Sequence, residues 1–491
     1  MDIKKWIADA KYIHAYEHLL TALAADPADK KTVNNLALVC YRIFEHFREI
    51  PAEKIIQVAR NLQQLDFSLL RPAVPDRYAY QLSDIIHHWA SERYDDMCQL
   101  IFSSPYEVWQ TGPGFSRLYR TILRVMKDDD RLGLVIEQLG FDRFSDEDFT
   151  AAKMKNGRSA MSLVELVIIR YTKYLLTAGL LEETDEEVKR KVLEWIQRIC
   201  TLERPGMKWP PYSKAKLYIR IKEFSKAFQV LKPFALRHQS EFWVWSLLSE
   251  MFPDDLNTKK ACLARALLCP KSDKFKIGVM EDLFDIHVQE EENALAAYLL
   301  AKILKIREEN GWHVPSRYVE FQLFGLPDTK ADPAKAEAYY RHWAARSLDI
   351  LTGDLPGEEA VITKLNPAAG WAYYFINYKD IGRFKYAALG CQIRPGDTVL
   401  LKRIKSAKRV EVVGCLSDDF DFEYRRRVKL KAHFGDKTYA IIKSVFVHRS
   451  LIPDPGQCFL LEGIAVPALD KTKKQWGWRL ARVDKATPCP A

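Results

Sequence analysis

The sequence predicts a multidomain α + β protein: an N-terminal all-helical repeat array followed by two small antiparallel β-barrels. Three observations predict it. Apolar residues recur at helical spacing up to about residue 350. At LTGDLPGEE that period gives way to short alternating runs separated by turn residues. Charge divides at the same place. Positions 351–491 hold 24 Lys and Arg against 15 Asp and Glu, the whole formal excess of +9, while the first 350 residues hold 50 of each. The expected domains are 1–350, 357–418 and 424–485, and the last two are expected to meet an anionic partner.

In the helical part, turns fall at RPAVPDR, TGPGF, RPGMKWPP and FGLPDTKADP. Within AYEHLLTALAADPAD, Ala15, Ala22 and Pro27 follow at steps of seven and five, and the next helix sets Val33, Leu36 and Ala37 at its apolar positions. KLYIRIKEFSKAFQVLKPF places Tyr218, Ile221, Phe224 and Ala227 in the same pattern, and steps of 16 and 34 from Ala227 reach Trp243 and Ala261. Small residues let two helices of a hairpin approach, and large ones fill the groove to the next hairpin. Over 10–50 and 208–275 the chain resembles tetratricopeptide repeats, which implies stacked antiparallel hairpins that dock a protein partner. Between about 55 and 205 the pattern is helical without a repeat register.

Several classes are excluded. The most apolar stretch, SLVELVIIRYTKYLLTAGLL, carries Glu165, Arg170 and Lys173 and predicts an amphipathic helix rather than a membrane span. The N-terminus lacks the pattern of a signal peptide. Nine cysteines are scattered without a CxxC pair, the usage of a reduced, cytoplasmic protein with no structural zinc. No phosphate-binding loop, dinucleotide fingerprint, zinc-protease motif or nucleophile elbow occurs, so no enzyme, catalytic residue, metal or cofactor is expected. His87 and His88 lie on a helical surface. The acidic groups Asp128-Asp129-Asp130 and Asp418, Asp419, Asp421 fall at turns, and Cys262 and Cys269 match small core positions.

The strand region repeats its cues. The first block runs VITKLNPAAGWAYYFIN, IGRFKYAAL, IRPGDTVLLKRIK and RVEVVGCL; the second runs RRVKLKAHFGDKTYAIIK, SVFVHRSLI, CFLLEGIAV and WGWRLARV. In SVFVHRSLI, Val445 and Val447 take one face while Phe446 and His448 take the other. A binder of single-stranded nucleic acid needs exposed aromatics interleaved with Lys and Arg. VFVHRSLI resembles the second nucleic-acid-binding strand of cold-shock domains, which are small OB-fold barrels. TYAII takes the place of their first binding strand, with one aromatic where that family has two. GWAYYFI and RFKY occupy the same two places in the first block, and IRPGDTV resembles the turn entering the third strand. The resemblance puts Tyr373, Phe375, Phe384 and Tyr386, with Trp371 beside them, on the binding face of the first barrel. In the second it puts Tyr439, Ile441, Phe446 and His448 there. The cations expected nearby are Lys385, Lys402, Arg403, Lys405, Lys408, Arg409, Lys431 and Lys443.

Taken whole, helical array, barrel, barrel and the WGWRLARV ending, the chain is similar to helical-repeat proteins of bacterial TOTE conflict systems. That resemblance implies a non-enzymatic adaptor acting against invading nucleic acid. Its barrels would hold single-stranded RNA or DNA and its repeats would dock a protein partner. The alternative on the residues alone is a pure protein–protein scaffold, and a third reading is an enzyme whose site is assembled from the irregular helices.

Overall fold

The computed structural model describes residues 3–62, 65, 70, 73–104, 106, 111–151, 157, 159–177, 184–321, 332–386, 393–405, 410–417, 420–434, 437–452, 454, 457–470 and 474–489. It is a multidomain α + β chain. Eighteen α-helices, the last Pro333–Thr352, precede ten β-strands among the described residues. None of those helices is long and apolar enough to cross a membrane. Two compact units divide the chain, Met1–Val230 and Leu231–Ala491. The second therefore joins helices to both sheets.

In the first unit, Tyr12–Ala25 and Lys30–Glu45 form a hairpin with Pro27 in its turn. Asp29 caps the second helix by accepting from the backbone N–H of Lys31 and Thr32. Ala15 and Ala37 are buried, so the small positions do let helix faces meet. Glu165, the charge inside the most apolar helix Leu163–Thr177, is buried too. It accepts from Ser162 Oγ (3.1 Å) and from the backbone N–H of Lys208 (2.7 Å), which satisfies it without a cation.

The second unit begins with helices that bury Ala261, Cys262 and Cys269, the small positions of the repeat pattern. Its two sheets follow. The first comprises β1 (Gly357–Asn366), β2 (Trp371–Asn377), β3 (Asp380–Lys385), β4 (Thr398–Lys405) and β5 (Val410–Ser417), in the order β3-β2-β1-β4-β5, all antiparallel. The second comprises β6 (Arg426–Ala432), β7 (Tyr439–Ile442), β8 (Val445–His448), β9 (Phe459–Asp470) and β10 (Gln475–Pro488), in the order β6-β9-β10-β8-β7. Here β8 and β10 run parallel, which corrects the expectation of a wholly antiparallel barrel.

Numbered within each block, both sheets follow one ring, first-second-third-fifth-fourth. Among the described residues the first sheet is open between its third and fifth strands. The second, among the described residues, has no hydrogen-bonded pairing between its first and second, and its parallel β8–β10 pair is the third–fifth pairing not found in the first sheet. The shared order is compatible with OB-type barrels, each opened at a different seam.

Each sheet has its own inner core: Ala360, Ile362, Tyr374, Phe384 and Leu401 in the first, and Leu430, Val445, Val447, Leu461 and Leu480 in the second. A third cluster lies between the sheets, where Val361 and Phe375 meet Phe422, Ile464 and Val466. Gly396, at φ +87, permits this approach, because a Cβ there would come within 2.8 Å of Ile464. The turn it belongs to is held across the sheets by Arg482, which donates to Asp397 Oδ1 at 2.5 Å. Gly414 on β5 does the same for the helix Pro333–Thr352, with Leu348 3.3 Å from where its Cβ would stand.

Candidate nucleic-acid interface

The outer face of β1-β2-β3 is built by alternation. Along β2, Ala372 and Tyr374 point into the core, so Trp371 and Tyr373 lie on the opposite, half-buried face. On β3, Phe384 points inward and Arg383 and Lys385 outward. The register sets Arg383 against Tyr373 and Lys385 against Trp371. The Trp371 ring is flanked by two cations, with Arg383 Cζ 4.6 Å and Lys385 Nζ 4.8 Å from its centroid. A bulge in β1 brings exposed Lys364 opposite Tyr373. No carboxylate pairs with Lys364, Arg383 or Lys385 among the described residues; Lys385 donates only to the Ala369 carbonyl, at 3.0 Å.

The outer face of β7-β8 is the second platform. Val445 and Val447 are buried and Phe446 and His448 turn out, as the alternation predicts. Tyr439 pairs with His448 and Ile441 with Phe446. The rings of Tyr439 and Phe446 stack with centroids 5.2 Å apart and planes 25° off parallel. Tyr439 is 52% exposed and Ile441 67%, so the surface is open to solvent. Lys443 and Ser444 both have positive φ and close the β7–β8 hairpin in two residues, which leaves Lys443 exposed at its tip. His448 keeps its ring oriented by accepting from the backbone N–H of Ser450 at its Nδ1 (3.2 Å). Lys431 is exposed on β6.

Arg479 on β10 joins the two faces. It is the parallel partner of Phe446, and its Nη2 donates to the Thr363 carbonyl on β1 at 2.7 Å. Thr363 Oγ1 in turn donates to the Tyr373 carbonyl (3.2 Å). Arg479 is half-buried, and burial holds its guanidinium below the usual arginine range. Among the described residues it has no carboxylate partner.

Four expected site residues, Phe375, Phe384, Tyr386 and Arg403, are placed elsewhere. Phe375 is 1% exposed between the two sheets, its ring 4.9 Å from Tyr424 and 5.2 Å from Trp476. It shares the Trp371–Tyr373 parity, but the second sheet covers that end of the strand. Phe384 is in the inner core because its neighbours Arg383 and Lys385 take the outer face. Arg403 is buried, bonded to Asp380 (2.8 Å), Glu358 and the Tyr374 hydroxyl. The Asp380 and Glu358 carboxylates hold its pKa well above the usual range, against the opposing effect of burial. It secures the β1, β3 and β4 strands and is not available to phosphate. Tyr386 packs half-buried against the first core, and Lys402 donates to the Leu355 carbonyl at 2.7 Å. The side chains of Lys405, Lys408 and Arg409, and residues Asp418 and Asp419, lie outside what is described. The sequence reading missed Lys364, Arg383 and Arg479. Arg383 was accessible to it, since a strand that turns Lys385 outward turns Arg383 outward too.

Other candidate centres resolve into structural roles. Asp129 of the acidic triple takes hydrogen bonds from Arg131 and Tyr94, and the Arg131 guanidinium holds its carboxyl down at about 2. His88 lies 3.5 Å from Glu92 on its own helix. His287, Glu290 and Glu292 bring potential ligand atoms within 4.8 Å of one another. The Lys260 ammonium already sits against Glu290 and 4.0 Å from Glu292, while His287 uses both nitrogens, toward Glu292 (2.6 Å) and Tyr340 Oη (3.0 Å). That centre is a closed polar hub of the helices.

Fold and surface together define a helical array carrying two OB-like sheets with aromatic, basic outer faces. A family model described as a domain of unknown function, DUF7017, matches residues 208–346. No curated protein matches the chain.

Proposed function

We propose that this chain is a non-enzymatic adaptor that binds single-stranded RNA or DNA through its sheets and a protein partner through its helices. One observation carries the reading. On the outer face of the second and third strands of the first sheet, the Trp371 ring lies between Arg383 and Lys385, which no carboxylate neutralises among the described residues, and the same strands of the second sheet turn out the stacked Tyr439–Phe446 pair with Lys443 exposed at the hairpin tip. That face is where OB barrels take oligonucleotides. Bases stack on the rings with little sequence preference, and the cations meet the phosphates. The segregation of the +9 charge into the same 141 residues supports it.

The helical array supplies the docking role. In the first unit a groove of about 1190 Å³ is lined by charges of both signs, Arg117, Arg120 and Arg170 with Asp146, Glu147 and Asp148 among them, and suits a segment of a partner protein. The resemblance to conflict-system proteins supports a place in bacterial defence against foreign nucleic acid. A protein–protein scaffold is the second reading, favoured by Phe375, whose ring is committed to sheet–sheet packing.

Fluorescence anisotropy of the full chain with labelled single-stranded RNA and DNA tests the proposal. Binding should weaken with salt, log K falling by about 0.7 per phosphate contact for each unit of log salt. Absence of binding, or binding indifferent to salt, favours the scaffold.

A further inference from the structure

We infer that the two platforms form one continuous track, so that a single strand crosses from Trp371 and Tyr373 over Arg479 to Phe446 and Tyr439. This rests on the nucleic-acid reading and goes beyond it, because two OB-like sheets in one chain would by default be two independent sites joined by a linker.

The junction argues against independence. The sheets share a core built on Phe375, Ile464 and Val466, which fixes one relative to the other within this unit. At the rim of that core, Arg479 sits beside Phe446 in register and bonds to Thr363, the residue whose hydroxyl reaches Tyr373. The last aromatic of one platform and the first of the other are thus separated by a single threonine and a single guanidinium. That guanidinium is the unusual group. A half-buried cation normally has a carboxylate, as Arg403 and Arg482 do here. Arg479 has only a backbone carbonyl among the described residues. A phosphate crossing the junction supplies the missing negative charge, with donors to spare on a guanidinium that makes one hydrogen bond among the described residues. From β3 to β1, and from β10 to β7, is two strand spacings each, about 10 Å, so the track is about 20 Å. At 3.4 Å or more per nucleotide, it takes on the order of five to seven nucleotides.

The test uses the full chain with oligothymidylate or oligouridylate of about 4 and about 12 nucleotides, the shorter near the lower limit for one OB barrel. The track predicts one 12-mer per chain, bound more tightly than the 4-mer. Trp371→Ala and Phe446→Ala should each weaken that single event about tenfold, their factors multiplying in the double variant. Arg479→Gln, which keeps a donor for Thr363, should weaken the 12-mer while sparing the 4-mer. Arg479→Lys should recover much of the loss, with thermal unfolding unchanged in both. Two 12-mers per chain, or a platform variant that halves the stoichiometry and leaves the remaining affinity intact, overturns the track while leaving the nucleic-acid reading standing. If neither length binds, that reading itself falls and the track with it.

Discussion

Replacing Phe446 by alanine separates a binding ring from a packing ring, and Phe375 is its internal control. Phe446 is half-buried and touches Tyr439 face to face, so the substitution removes one aromatic pair and part of a buried ring. An aromatic pair contributes about 0.5–1.5 kcal/mol beyond its area. The folding cost should therefore stay near 1–2 kcal/mol, below the roughly 3–5 kcal/mol of a fully buried Phe. In a domain of this size that is a fall in Tm of only about 2–8 °C. Loss of the stacking surface should weaken single-strand binding by about 1–3 kcal/mol, or roughly 5- to 150-fold. Phe375→Ala should show the opposite balance. It leaves a cavity among Phe422, Ile464 and Val466 and costs about 3–5 kcal/mol of stability. Paired measurements of Tm and anisotropy on both variants decide the matter. A Phe446→Ala protein that unfolds as readily as Phe375→Ala, or that keeps native stability and native affinity together, refutes the assignment of β8 as a binding strand.

Other outcomes follow from the same contacts. The fragment 231–491 should bind single strands and 1–230 should not, as an anisotropy titration of each will tell, because the former carries a formal charge of +7 and both sheets while the latter carries +2. Arg403→Ala should lower stability by about 3–5 kcal/mol by stranding Glu358 and Asp380. Arg383→Ala should leave Tm nearly unchanged while lowering the salt dependence of binding by about one contact. Burial holds the His287 imidazole below its ordinary range despite the pull of Glu292. The unfolded chain then takes up that proton first as pH falls through about 6.5. Stability of the second unit should be full above that pH and decline below it. His287→Gln should flatten that part of the pH profile in thermal denaturation.

How far the sequence was legible depends on which forces set each feature. The change of period near residue 350, the strand segments and the outward turn of Phe446 and His448 are local, and alternation alone reveals them. The expectation of Phe384 on the outer face fails because adjacent residues of a strand point opposite ways, and its neighbours Arg383 and Lys385 take that face. Phe375 is a different matter. Its parity is right for an outer face, and only the second sheet, packed across that end of β2, buries it. Arg403 looked like a free cation because its carboxylates come from β1 and β3, up to 45 residues away in sequence. The parallel β8–β10 pair is likewise tertiary, since the intervening β9 hides it in a run of alternating strands.

The open seams have a further consequence, for self-association. Among the described residues β3, β5, β6 and β7 are the edge strands of the two sheets, and a sheet edge is where another strand can add on. Three of these edges carry exposed cations: Arg383 and Lys385 on β3, Arg426, Arg427, Lys429 and Lys431 on β6, and Lys443 at the end of β7. Like charges brought edge to edge repel, so the residues proposed to meet phosphates also keep copies of the chain from zipping together. A nucleic acid that neutralises them would lift that repulsion. On the proposed function, coating of a long single strand by many copies is the condition that would most favour edge-to-edge addition.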